Sequence, residues 1–246
     1  MGAPAPRPAV TPADTRPRVV SLVPSITETL LAWGVPPVAV TRFCEAPDLP
    51  KVGGTKNPDV EAIIALHPDV VLMDREENRS EDADALAAAG LRVHATHVLS
   101  VGDVGPALQE ISHVLGAETE SPEAEVDAPP AEHFFRAWIP IWRRPWMTLN
   151  GSTYGSSLLA LAGIDNIFAP QPDTYPQAGP DQAKALQADV VLAPSEPYPF
   201  SERHRAELEL VAPVVFVDGR DLFWWGSRTP EAAVRLRALA AGLAKR

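Results

Sequence analysis

The chain of 246 residues has a single cysteine, Cys44. One thiol excludes an internal disulfide framework and any metal site built from clustered thiolates. No apolar run approaches the ~18 residues a membrane-spanning helix requires, so no membrane span is expected. Basic residues are also short: 21 lysines and arginines face 32 acids, a net charge of −11. That balance repels phosphate backbones and argues against a nucleic-acid partner. The opening stretch 1–16 is rich in proline and alanine and reads as a disordered arm. It lacks the apolar stretch of a secretory signal and a cysteine for lipid attachment. The chain as written therefore reads as cytoplasmic, and as extracytoplasmic if a leader has been removed.

What is present is a repeat. Leu66-His67-Pro68-Asp69-Val70-Val71-Leu72-Met73 recurs, 120 residues later and without a gap, as Leu186-Gln187-Ala188-Asp189-Val190-Val191-Leu192-Ala193. A Pro-Asp pair precedes each copy (Pro58-Asp59 and Pro180-Asp181), and a glutamate follows each at the same offset (Glu76 and Glu196). Short β-branched runs at 18–23, 38–41, 70–73 and 91–94 alternate with helical patterns in the first half. Runs at 146–149, 190–193 and 214–217 do so in the second, with 146–149 read as the counterpart of 18–23. Continuous Val/Leu runs suit strands buried on both faces, which means parallel sheets flanked by helices. The expected fold class is α/β, with two similar lobes joined by one bridging helix. The lobes are placed at 17–102 and 141–246, with helix and linker over 103–140. Val104, Leu108, Ile111 and Leu115 carry helical spacing, and the acidic, proline-bearing 118–130 reads as loop.

In open parallel sheets a ligand sits beyond the carboxyl ends of the strands. Two such lobes facing each other would line a cleft with loops that mix aromatic and polar side chains, as a pocket for a large amphipathic molecule does. The candidate ligand-binding residues are Pro24, Ser25, Arg42, Phe43, Lys56, Asn57, Glu76 and Asn78 from the first half. From the second come Asn150, Tyr154, Glu196, Tyr198, Phe200, Trp224, Trp225 and Arg228. Trp224-Trp225 would either stack on a flat ligand or pack on the lobe. Tyr198 and Phe200, held by Pro199, read equally as a ligand wall or as a lid on the core. Glu76 and Glu196 are expected to face each other across the cleft, holding ligand amides or pairing with Arg42, Arg75 or Arg228. Lys56, Arg42 and Arg228 could instead neutralise an anionic ligand. Ser25 with Glu28 reads as a capping box for a helix over 27–33. His94 and His97 are too weak a pair to define a metal site, and no catalytic residue is assigned.

Arg18-Val19-Val20-Ser21-Leu22-Val23-Pro24-Ser25-Ile26-Thr27-Glu28, Phe43-Cys44-Glu45-Ala46-Pro47, Val52-Gly53-Gly54 and Pro68–Leu72 occur in this order. In these motifs the chain resembles the helical-backbone substrate-binding proteins of ABC importers, the vitamin B12-binding and ferric-siderophore-binding group. The resemblance spans roughly 17–240. It implies a periplasmic-binding-protein-like fold with little hinge motion, no intrinsic cofactor, and a corrinoid such as cobalamin as ligand. A ferric siderophore or haem is the alternative. It also implies an ABC permease as partner, although the docking acids expected near Lys51 and Ser152–Gly155 are not there. A cytosolic enzyme or regulator on the same scaffold is the reading from another class.

Overall fold

The computed structural model describes residues 17–116 and 135–244, so the stretches 1–16 and 118–130 discussed above lie outside the described residues. The first sheet holds β1 (Val19–Ser21), β2 (Ala39–Val40), β3 (Val70–Asp74) and β4 (Val93–Thr96), in the order β2-β1-β3-β4, all parallel. The second holds β5 (Phe135–Trp138), β8 (Ile164–Asn166), β9 (Val190–Pro194) and β10 (Val214–Val217), in the order β8-β5-β9-β10, again all parallel. Between β5 and β8 a two-stranded antiparallel hairpin intervenes, β6 (Trp142–Arg143) and β7 (Trp146–Met147). Every residue of β3 and of β9 is buried, as expected of strands covered on both faces by helices.

The two sheets repeat each other down to single hydrogen bonds. The Arg18 amide donates to Asp69 at 2.8 Å and its guanidinium to the Leu66 carbonyl at 2.9 Å. The Arg136 amide donates to Asp189 at 2.9 Å and its guanidinium to the Leu186 carbonyl at 2.7 Å. His67 and Gln187 occupy the same left-handed turn, at φ 46 and 56. The counterpart of β1 is therefore β5, not 146–149, and the second sheet begins inside the stretch read as linker. Phe135-Arg136-Ala137-Trp138 has aromatics that suit a strand but lacks the Val/Leu run that marks the others. Its place between β8 and β9 makes it a strand. Trp146 and Met147 belong to the hairpin and not to the parallel sheet.

The helices are α1 (Pro24–Ala32), α2 (Val60–Ala65), α3 (Ser80–Ala88), α4 (Val104–Leu115), α5 (Tyr154–Leu161), α6 (Pro180–Ala185), α7 (Arg205–Leu208), α8 (Gly219–Phe223) and α9 (Thr229–Leu243). Helix α4 buries Val104, Leu108, Ile111 and Leu115, the positions its spacing marked, and stops at Gly116, whose φ of 63 suits the left-handed cap. Helix α1 starts earlier than the capping-box reading places it. Pro24 occupies its first turn, where a missing N–H costs nothing, and no side chain caps it. Ser25 lies inside the helix, and Glu28 turns to Arg228 instead of back to the helix start.

One apolar core is continuous across both sheets. It includes Val19, Ile26 and Leu30 of the first, Leu108 and Ile111 of α4, and Leu158, Leu159, Trp225 and Leu236 of the second. A wide hinge opening would expose this core to water, so burial itself limits hinge motion. Gly226, between Trp225 and α9, comes so near α1 that a Cβ there would collide with Thr29, and its φ of 125 also favours glycine.

Candidate functional site

The cleft lies beyond the carboxyl ends of both sets of parallel strands. At its base is a cavity of about 80 Å³, lined by Ser25, Asp74, Glu76, Glu77, Val98 and Leu99 on one side and by Leu149, Thr153, Tyr154, Tyr175, Phe223 and Trp225 on the other. Each lobe contributes differently. Asp74 ends β3, where it accepts the Thr96 hydroxyl at 2.7 Å and the Glu76 amide at 2.9 Å. Those bonds are outweighed by burial, which raises its pKa; burial raises that of Glu77 too, reinforced by the Asp74 charge. On the second lobe Glu196 is pushed up to about 7 by burial, against an opposing hydrogen bond from Trp224. Its carboxyl also feels the charge of Glu77 across the cleft.

Side-chain pairs join the lobes at and beyond this space. Tyr175 donates its hydroxyl to Glu76 at 2.9 Å. Arg220 reaches both oxygens of Glu45, at 3.0 and 2.9 Å, and is held from behind by Asp218, whose pKa it lowers. Arg228 donates to both oxygens of Glu28, at 2.7 and 2.8 Å, and to Asp221 at 2.8 Å.

Several expected residues meet at the cleft. Ser25, Glu76, Tyr154 and Trp225 line the cavity. Lys56 stands beside it and donates to the Glu76 carbonyl at 2.7 Å. Glu196 is not on the cavity wall but lies against Trp224, and the first-lobe charge that acts on it is that of Glu77, not Glu76, which accepts from Tyr175. Arg42 lies over the Phe43 ring, 4.9 Å from its centroid, and Phe43 is 53% exposed. Asn57 is exposed in the neighbouring loop, against Gly54, and Pro24 is half-buried. Trp224 is buried between Glu196 and Arg228, 5.6 Å from the guanidinium.

Other expected residues are spent elsewhere. Asn78 donates to the Leu22 and Thr55 carbonyls and accepts the Asp74 amide, so its amide group braces three loops. Asn150 accepts from Ser152 and donates to the Gln171 carbonyl, closing a turn. Tyr198 and Phe200 pack with Trp142, Trp146 and His204, Phe200 inside the second lobe's own core and Tyr198 half-buried against it, away from the cavity wall. Arg228 is saturated by two carboxylates and is not available to an anion. His94 and His97 turn to different acids, Glu110 and Glu76, and among the described residues no metal-holding group of three His, Cys, Asp or Glu occurs. Sequence reasoning gave no role of their own to Glu77, Asp74 and Arg220, and missed Tyr175. Asp74 and Glu77 bracket a marked glutamate at a strand end and were within reach. Tyr175 stands alone in a Pro/Asp-rich loop and gave no signal.

Two α/β lobes of identical strand order, sharing one core and opening on one cleft, define a periplasmic-binding-protein-like fold. Residues 19–126 match the family described as periplasmic binding protein. The chain is 28% identical over 203 residues to the vitamin B12-binding protein of Yersinia pestis (strain Pestoides F), covering 74% of this chain and 70% of that protein. Its fold is shared with the periplasmic vitamin B12-binding protein BtuF of Vibrio cholerae, at TM-score 0.77 and 20% identity over 94% of this chain and 99% of that one. The periplasmic heme-binding protein HutB of Vibrio cholerae is similar at TM-score 0.74 and 20% identity, over 91% and 98% of the two chains.

Proposed function

We propose that this chain binds a bulky metal-organic ligand, a cobalamin-type corrinoid before others, between its two lobes and gives it up chemically unchanged. In this reading it is the substrate-binding protein of an ABC-type importer, it works outside the cytoplasmic membrane, and the permease is its partner. No helix among the described residues is long and apolar enough to cross a membrane.

The observation that carries the choice of ligand is the charge of the cleft. Asp74, Glu76 and Glu77 line the cavity, Glu196 is near enough to feel the charge of Glu77, and among the described residues no lysine, arginine or histidine lines it. Arg220 and Arg228 are paired with carboxylates, while Lys56, held by a carbonyl, and Arg42, lying over Phe43, stand beside the cavity and not on its wall. A corrinoid presents side-chain amides, which a mixture of carboxylate and carboxylic acid receives well. Haem carries carboxylates and a catecholate siderophore is polyanionic, so either would meet like charge in a partly desolvated space. Similarity to vitamin B12-binding proteins supports the same order of preference.

Small-molecule pockets usually enclose ~300–1,000 Å³, so a cavity of 80 Å³ cannot take such a ligand whole. The ligand sits at the mouth, beside Phe43, and side chains there must move aside to receive it. Titration of hydroxocobalamin into the purified protein, followed by its visible bands and by calorimetry, tests the reading. A band shift with saturable heat, and a weaker response to haemin at neutral pH, is expected. Silence up to high micromolar corrinoid removes cobalamin, and tighter binding of haemin transfers the site to haem.

A further inference from the structure

We infer that Tyr175 is a latch: anchored on the second lobe and hydrogen-bonded to Glu76 of the first, its side chain roofs the cavity and must swing aside for a ligand to enter. This rests on the cleft being the ligand site. Of the cross-lobe hydrogen bonds described above, only this one has both its residues on the cavity wall. Tyr175 is 42% exposed, so its ring stands at the mouth, yet its hydroxyl is desolvated enough for burial to raise its pKa.

The backbone on either side of the ring is fixed. Asn150 donates its amide to the Thr174 carbonyl at 2.9 Å, Thr148 to Pro176 at 3.1 Å, and Ala178 to Trp146 at 3.2 Å. Motion at this site is therefore rotation of one side chain between staggered positions, not movement of a loop. The other half of the latch is equally well seated. The Glu76 amide is tied to Asp74 at 2.9 Å and its carbonyl to Lys56 at 2.7 Å. His97 stands 3.8 Å from the other carboxylate oxygen, so Glu76 keeps a neighbour when the tyrosine leaves. A single hydrogen bond on a half-exposed side chain has the right strength for this task, because its loss shifts an equilibrium only about three- to tenfold.

A buried thiol introduced by Ser25→Cys would read the latch without any ligand. Ser25 borders the cavity and is 4% exposed, whereas the native Cys44 is buried outside it and reports general loosening. Adding Tyr175→Phe should speed labelling at position 25 by methyl methanethiosulfonate about three- to tenfold and leave Cys44 unchanged. Glu76→Ala should do the same, and the double variant should go no further than either single one, because both remove one bond. Hydroxocobalamin should associate faster with Tyr175→Phe by a similar factor. Equal labelling with and without Tyr175→Phe overturns the latch, and so does acceleration at Cys44 together with position 25. Labelling that responds while the unaltered protein ignores hydroxocobalamin keeps the latch and removes the corrinoid.

Discussion

The first lobe passes from β1 to α1 in two residues, while the second inserts a hairpin of tryptophans between β5 and α5. The same contrast reaches inside the sheets. Val20 pairs with Val71 in the first lobe, and at the equivalent place Trp138 pairs with Val191 in the second. Trp138 then meets Trp146 at 5.4 Å, Trp146 stacks on Phe200 at 6.0 Å, and Tyr198 closes the group. What the lobes hold in common, the Arg–Asp anchors and the buried Val runs, builds the scaffold. What they do not share falls in the second lobe's aromatic core and around the cleft. A repeat thus separates residues that fold the chain from residues that specialise it.

That separation can be broken experimentally, and the largest effect belongs to the aromatic lobe. Trp138→Ala should cost about 3–5 kcal/mol in urea unfolding, because its ring is fully buried, and Val20→Ala no more than about 2 kcal/mol. Equal losses would mean that the inserted aromatics do not add to the second core. Next comes the join between lobes. Arg228→Ala leaves Glu28 without its partner in a place only 14% exposed on the arginine side, and about 2–3 kcal/mol should be lost. Glu45→Ala removes a pair whose glutamate is 63% exposed and should change stability by less than about 0.5 kcal/mol. A reversed order would place the structural join at the rim of the cleft.

Titration distinguishes the acids of the cleft. Glu196 is held protonated to about 7 by burial, whereas in the unfolded chain it ionises near the usual 4.5. Below that lower value both states hold the proton and nothing is gained or lost. As pH rises from there the unfolded state loses it first, so stability falls until the folded group also ionises near 7, then levels off. Glu196→Gln should flatten that part of the stability profile measured by thermal melts from pH 4 to pH 8. An unchanged slope would show that Asp74 and Glu77, which burial raises in the same direction, account for it. A modest effect is the strictest test of the repeat. Asp69→Ala and Asp189→Ala each remove a carboxylate that accepts one backbone amide, and each should cost about 1 kcal/mol, with the two values agreeing.

Much of the scaffold was legible. The runs at 70–73, 190–193 and 214–217 are strands within a residue of where their composition puts them, and α4 spans the expected positions. Uninterrupted β-branched residues, or a full stripe of helical spacing, leave the backbone one way to bury its side chains. The site was less legible. Trp225, Ser25, Tyr154 and Glu76 reached the cavity wall, but Tyr198, Phe200, Asn78 and Asn150 went to packing and bracing. Taking 146–149 as the counterpart of 18–23 assigned the hairpin to the sheet. That pairing also hid the hairpin's own role, which is to build the core that claims Tyr198 and Phe200.

Composition and a repeat visible in one dimension were enough for the duplication, the parallel α/β class and the mixed aromatic and polar content of the strand-end loops. Only the tertiary structure decided which lone side chains meet. Tyr175 and Glu76 are 99 residues apart, as Arg228 and Glu28 are 200 apart. No periodicity records such pairs, since their energy comes from burial and charge brought together only after both sheets have packed on one core.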